Sequence, residues 1–512
     1  MAHVFVAPGD VTRLAADAWL LPTDQTLSIR DAWFDRVPAL RQVVDTLGDH
    51  ARGLRDGTAH ALVLPGWSET TPQPVLVAVP YDGVRESGQI VAPLQEALRA
   101  AAEAGRSRVP LRRATAHRGL PLVALPLFGS AGGGGDQLRG ELIRTVLDVA
   151  GAIAEDEHVD VALVLRQPSD LAQAHALRRA DARSWCELDD ALVARARTLA
   201  GHARAGRLVP FIGAGVSATA GLPLWTDLVA DLAEGRLPDA ERRDFGHLDV
   251  LDQAHVLRHL YPDRAGFARA VAERTGADHY GLAPALLAGL PTREAVTLNY
   301  DELYELAASD MGRRTAVLPE EAAGSGGRWL LKLHGTVRRP ETIVLTREDY
   351  LSYGRGREAL SALAKAMLLT RHLLFVGFGL ADDHFHELMH DVREVLPPDR
   401  RESRLGTAVL LSSSPLRERM WGGELDLVGV GGDAIPDQAR RLEIFLDCLL
   451  AHSDQGLSFF LDERYRHRLD DAELRLRDRL LRLAYETTPA ERDTPAWSCL
   501  ADTLRSLGLP GE

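Results

Sequence analysis

In LVPFIGAGVSATAGLPLW, residues 208–225, an apolar run meets two closely spaced glycines, then a serine, then Gly-x-Pro-x-Trp. Phe211 and Ile212 read as the end of a buried strand. Gly213 and Gly215 then make a sharp turn, and Ala214 between them brings backbone N–H groups toward a pyrophosphate at the next helix's N-terminus. Ser217 adds a hydroxyl that donates to phosphate or caps that helix. Taken alone, Gly-x-Gly-x-x equally describes a tight strand-to-helix turn.

Three later stretches give the loop a context. TLNYD at 297–301 puts Asn299 and Asp301 at a strand end, two residues apart, so in extended geometry both side chains point the same way. LKLHG at 331–335 puts His334 at another strand end, followed by a glycine that permits close approach of backbone or ligand. LLFVGFGLADDH at 373–384 runs a third strand into Gly377, Phe378 and Gly379. In an open parallel sheet the carboxyl-terminal strand ends line one crevice, where such folds bind ligands.

Composition sets the outer limits. At 512 residues the chain exceeds one ordinary core, and 46% hydrophobic with 26% charged residues describes a globular protein. A net charge of -14 argues against a general nucleic-acid binder. Lys332 and Lys365 are the only lysines, so single arginines carry no weight as signals. Cys186, Cys448 and Cys499 are scattered, giving neither a disulfide framework nor a zinc site, and a reducing cytoplasm is expected. The opening MAHVFVAPGDVTRL lacks a basic stretch followed by a long apolar core, so no signal peptide is expected, and no run reaches the ~18 apolar residues a membrane span needs.

Strand candidates alternate with helical stretches from residue 1 to 185, predicting an α/β domain. A helical linker is expected at 186–207, a second α/β domain at 208–452, and a helical appendage with a strongly charged amphipathic helix at 453–512. The ADDHFHE stretch holds residue types that ligate metals, but it reads as a helix N-terminus with acidic capping residues, and no metal is expected.

Residues 208–452 resemble a sirtuin-type domain of the diverged bacterial branch that hydrolyses NAD. The resemblance rests on Gly213-Ala214-Gly215-Val216-Ser217, Gly221-Leu222-Pro223, Thr297-Leu298-Asn299-Tyr300-Asp301, His334-Gly335 and Gly377-Phe378-Gly379, in that order. It implies a Rossmann-like parallel sheet, with NAD as substrate held by Gly213, Ala214, Gly215, Ser217, Pro223, Trp225, Thr297, Gly377, Phe378 and Gly379. Two departures turn the reading from deacylation toward hydrolysis. The four zinc-binding cysteines of protein-deacylating sirtuins are absent, and Leu224-Trp225-Thr226 replaces their Asp-Phe-Arg. Breaking the nicotinamide–ribose bond leaves an oxocarbenium-like ribose, so the site must orient the leaving group and stabilise positive charge. Asn299 would hold the ribose or a water, His334 would act as general base, and Asp301 would face the cationic centre or the carboxamide. Trp225 would shield the ribose or pack in the core. A deacylase, an ADP-ribosyltransferase and a non-catalytic NAD or ADP-ribose sensor stay open as alternatives.

The opening stretch, with Gly9-Asp10-Val11-Thr12, Asp17-Ala18 and Pro22, resembles macro domains, which bind ADP-ribose. Asp10 would then meet adenine, with Val11 in the same regulatory-ligand site, and the loop Gly129 to Gly135, with Gly129, Ser130, Gly132, Gly133 and Gly134, would cradle the diphosphate. Pro22-Thr23-Asp24-Gln25 stands where that family has Asn-Ala-Asn, which argues against ADP-ribosyl hydrolysis. Together the two resemblances imply an anti-phage effector of the Thoeris type. Its NAD hydrolase would be activated by an ADP-ribose-derived nucleotide from a partner enzyme such as a TIR-domain protein. A homo-oligomer in the cytoplasm, with no nucleic-acid or membrane partner, is expected.

Overall fold

The computed structural model describes residues 1–107, 118–130, 134–181, 183–324, 326–397 and 404–509. They form two compact units, one built from described residues within 1–107, 120–187 and 454–509, the other from 118–119 and described residues within 188–453. The helix Asp190–Arg204 therefore counts with the second unit, and the C-terminal segment with the first.

In the first unit a six-stranded mixed sheet has the order β1-β6-β5-β2-β4-β3. Its strands are β1 (Val4–Pro8), β2 (Ala18–Thr23), β3 (Ala61–Val63), β4 (Gln73–Ala78), β5 (Leu122–Pro126) and β6 (Asp160–Leu165). Only β3 runs antiparallel, against β4. Strands β4 and β6 are buried along their whole length and β2 and β5 nearly so, the signature of a sheet covered on both faces. Helices Val91–Ser107 and Arg139–Glu157 supply the apolar layer, Leu94, Leu98, Leu142 and Val146 among them. Phe459 and Tyr465 from the C-terminal segment join that core.

In the second unit seven parallel strands run in the order β13-β12-β11-β7-β8-β10-β9. They are β7 (Leu208–Ile212), β8 (Glu294–Thr297), β9 (Thr315–Leu318), β10 (Arg328–Lys332), β11 (His372–Val376), β12 (Gly406–Leu410) and β13 (Leu425–Gly429). All six neighbouring pairs are parallel, so every strand ends on the same edge of the sheet. The chain leaves β7 toward β8 on one side and later returns to β11 on the other. The β7/β11 junction is thus a topological switch point, where doubly wound sheets open a crevice. Between β7 and β8 the chain makes a helical excursion with its own core of Leu228, Leu232, Leu257, Phe267 and Val271. No helix among the described residues is long and apolar enough to cross a membrane.

Candidate active site

A cavity of about 680 Å³ lies at these strand ends, lined by the glycine loops of β7 and β11, by Asn299, Asp301 and His334, and by Trp225 and Asp382. Residues some 170 positions apart in sequence meet there because five parallel strands deliver their ends to one edge.

The glycines have a more specific reason than the sequence suggested. A Cβ on Gly213 would collide with the Gly377 carbonyl, and one on Gly377, whose φ is +63°, with the backbone N of Val216. The two loops therefore pack backbone against backbone. The Gly213 N–H donates to Val376 O at 2.9 Å and the Gly215 N–H to Gly377 O at 2.9 Å. Those two amides are spent inside the protein, so close backbone packing already accounts for the glycines at 213, 215 and 377.

Asn299 is fixed from below. Thr297 Oγ1 donates to Ile212 O at 2.9 Å and accepts from the Asn299 N–H at 2.9 Å, so Thr297 stands behind the cavity rather than on its wall. Asn299 Nδ2 lies 3.2 Å from Gly213 O and 3.2 Å from Ser217 Oγ. A carbonyl can only accept, which sets the amide's orientation. Oδ1 is left without a protein partner among the described residues. Ser217 in turn donates its proton to Asp301 Oδ2 at 2.8 Å, and Asp301 Oδ1 accepts from the Leu303 N–H at 3.1 Å. Asp301 thus anchors Ser217, which anchors Asn299. Lys332, a buried lysine that sequence reasoning passed over, pairs with Glu305 at 2.7 Å and donates to the carbonyls of Tyr300 and Asp301. This ammonium pins the turn that carries Asn299.

His334 is 3% exposed, and burial pushes its imidazole down to about 4, so the ring is neutral at physiological pH. Gly335, at φ +90°, is required there because a Cβ would meet the Thr342 carbonyl. Arg357 clamps the same turn, donating to Leu333 O at 2.6 Å and to Thr342 O. His334 Nε2 lies 3.0 Å from Nδ1 of His384, which is sandwiched between Tyr350 and Tyr353, at ring separations of 4.2 and 3.8 Å. Tyr350 donates its hydroxyl proton to Asp382 at 2.6 Å, and Asp382 caps the helix Asp383–Val395 through the Phe385 N–H. Helix capping was the reading made for this acidic pair. The pairing of His384 with His334 was not legible, because 50 residues separate them and no local pattern links them.

His334, Asp382 and His384 place ligand-type atoms within 4.8 Å of one another. Asp382 is already engaged by Tyr350 and Phe385, and the two imidazoles by each other. Trp225 stacks on Tyr350 with centroids 5.9 Å apart, and its buried Nε1 has no partner among the described residues. Pro223 and Phe378 complete the lining beside the glycine loops.

Residues 293–422, which hold Asn299, Asp301, His334 and Gly377, match the family described as SIR2-like domain. The match covers about a quarter of the 512 residues and begins after β7 and its glycine loop. Similar curated proteins include Defense-associated sirtuin 2 of Bacillus subtilis, 29% identical over 219 residues, or 41% of this chain and 21% of that protein. NAD(+) hydrolase ThsA of Enterococcus faecium is 27% identical over 208 residues, covering 38% of this chain and 42% of the relative. NAD(+) hydrolase ThsA of Cytobacillus dafuensis is 24% identical over 197 residues, covering 37% and 39%. The chain thus spans about a fifth of the first relative's length and about two fifths of the other two. The matched segment lies within a Rossmann-like parallel sheet, as the sequence predicted.

The residues expected to bind a regulatory ligand lie in the first unit. Asp10 accepts from the N–H and O–H of Thr12, at 3.0 and 2.9 Å, and pairs with Arg36 at 2.7 Å. Val11 is buried in the turn that Asp10 caps. Gly129 and Gly134 both adopt left-handed φ values and pack against Val84, Ile90 and Gly83, while Ser130 Oγ donates to Leu127 O at 3.2 Å. Gly132 and Gly133 lie outside the described residues.

Proposed function

We propose that this cavity binds NAD and hydrolyses its nicotinamide–ribose bond, giving ADP-ribose, nicotinamide and a proton. The observation that carries the reading is that Asn299 and His334 open on one cavity walled by the glycine ends of β7 and β11. The cavity's size and mostly apolar lining with few polar groups suit a dinucleotide-scale ligand. The relatives named NAD(+) hydrolase lend the same activity to the matched segment.

In this mechanism the glycine loops, with their small Ala214 and Ser217 side chains, receive the diphosphate, and Asn299 Oδ1 accepts a hydrogen bond from a ribose hydroxyl or from water. Departure of neutral nicotinamide leaves a cationic ribose, which the Asn299 Oδ1 dipole stabilises. A water then adds to the ribose carbon, and its proton passes to His334. A base held near 4 is weak toward bulk water. It suffices once the attacking water is partly bonded to the cation and has become acidic. Asp301 acts through Ser217 on Asn299 and does not meet the ribose.

The activity would belong to cytoplasmic anti-phage defence, halting the infected cell by NAD depletion. The first unit would bind an ADP-ribose-derived nucleotide made by a partner enzyme, possibly of the TIR class, near Asp10 and Gly129, within a homo-oligomer. Such a ligand must bind the active state more tightly than the resting one, since equal affinity shifts nothing. The test is nicotinamide release from NAD by the purified full chain, with and without a panel of ADP-ribose-derived nucleotides. Release that His334→Ala or Asn299→Ala abolishes supports the reading. No release under any condition, or peptide-dependent release alone, overturns it.

A further inference from the structure

We propose that His384 is a positioning residue that fixes the tautomer of His334, making Nδ1 of His334 the nitrogen that faces the substrate. This rests on His334 serving as the base. Three neighbouring atoms carry the deduction. The Tyr350 carbonyl, which can only accept, lies 3.5 Å from Nε2 of His384. That contact is long, but the alternative would aim an imidazole lone pair at a carbonyl oxygen in a buried place. With its proton on Nε2, a neutral His384 presents a bare Nδ1, 3.0 Å from His334 Nε2. His334 Nε2 must then be the donor. A neutral imidazole holds one proton, so His334 Nδ1 is the lone-pair nitrogen, and it has no protein partner among the described residues. His334 lines the cavity, which gives that nitrogen somewhere to act.

The ring that imposes this choice is itself held. Tyr350 lies parallel to His384 within 7°, Tyr353 covers the other face, and Asp382 ties the Tyr350 hydroxyl to the start of the helix that carries His384. Two neutral imidazoles can share one N–H without cost, whereas a cationic His384 would repel the proton His334 is to receive. When His334 Nδ1 takes the proton of the attacking water, its Nε2–H becomes charged and donates more strongly to His384. Asp382, Arg357, Asp383, Glu387 and the hydroxyls of Tyr350 and Tyr353 are the ionisable groups around the pair.

Two measurements test this on the full chain. Long-range proton–nitrogen NMR of histidine-labelled protein without NAD reads the tautomer directly, and the expected result is Nε2–H on both His334 and His384. In kinetics, His384→Phe keeps the stacked ring and removes the acceptor. Its kcat for nicotinamide release is expected to fall roughly 10²-fold with KM within about twofold. His384→Asn returns an acceptor near the Nδ1 position and should recover most of the loss. An Nδ1–H signal on His334, wild-type kcat in His384→Phe, or a stoichiometric transition metal joining the two rings in purified protein would each overturn the proposal. If wild type releases no nicotinamide, the functional reading fails, and the NMR spectrum still decides the tautomer. It also decides should His384→Phe not fold.

Discussion

At the residue scale the polar chain Asp301–Ser217–Asn299 makes the sharpest demand. Asn299 Nδ2 faces one carbonyl and one hydroxyl whose proton is already given to Asp301. Asn299→Asp therefore points an anion at two acceptors. It is expected to lower nicotinamide release at least ~10²-fold and to cost about 1–3 kcal/mol of stability in denaturant unfolding. Ser217→Ala removes a single link, leaving Asn299 bonded to Gly213 O, and should reduce kcat about tenfold while NAD still binds. Equal activity in Ser217→Ala and wild type would show that Asn299 needs no support from Asp301. Asn299, Asp301 and His334 were legible in the sequence because each follows an apolar strand and precedes a turn. His384, Tyr350 and Lys332 were not, because a lone histidine in a helix's first turn, a tyrosine in a helix and a lysine inside a strand each have an ordinary structural reading. What distinguishes them is the partner across the sheet edge.

At the scale of elements, the sheet was readable wherever a strand was buried along its length. Twelve of the thirteen strands among the described residues overlap short apolar runs, whereas β9 is four residues at the sheet edge between charged flanks. Turn chemistry was readable as glycine but not as its cause, since close packing of two loops and approach of a phosphate ask for the same residue. Gly377→Ala separates them. Its Cβ would strike the Val216 backbone at a left-handed φ, so a loss of about 1–3 kcal/mol in stability is expected even without NAD. An unchanged melting temperature with weakened NAD binding would assign that glycine to the ligand alone. Buried imidazoles give the second unit a further property. His334 and His372 are both pushed down to about 4, chiefly by burial, from an ordinary 6.5. Between those values the unfolded chain takes up protons that the folded chain refuses, so stability is constant above about 7 and falls as pH drops from 6.5 toward about 4. His372 bonds Thr407 at 2.9 Å and stacks on His202, far from any proposed chemistry. In His372→Phe the fall in melting temperature between pH 6.5 and 5 should be shallower than in wild type, and an identical slope would count against the assignment.

At the scale of the whole molecule, the C-terminal segment was expected as an appendage, and its contacts are of a kind no local pattern displays. Tyr465 donates its hydroxyl proton to Asp170 at 2.6 Å, some 295 positions earlier, and Asp170 is paired with Arg139, both nearly buried. His175 meets Asp454 at 2.9 Å, and Phe459 and Tyr465 fill out the apolar layer over the first sheet. The charged helix Asp471–Glu486 announces itself in sequence by its pattern, whereas these few residues ahead of it do the packing. Two changes weigh them. Tyr465→Phe keeps the ring and leaves Asp170 its Arg139 partner, so a loss of about 1–2 kcal/mol is expected. Asp170→Ala leaves the Arg139 guanidinium buried without its main counter-ion and should cost about 3–5 kcal/mol. Deletion of residues 454–512 removes the hydroxyl, the aromatic pair and the His175 partner together. It should lower the first unit's melting transition further than Tyr465→Phe does, and differential scanning calorimetry resolves this if the two units unfold separately. A truncated chain whose first unit melts with the wild-type protein would show the segment to be a passenger. A chain that melts early yet keeps the second unit's transition would place it as a structural part of the first unit's core.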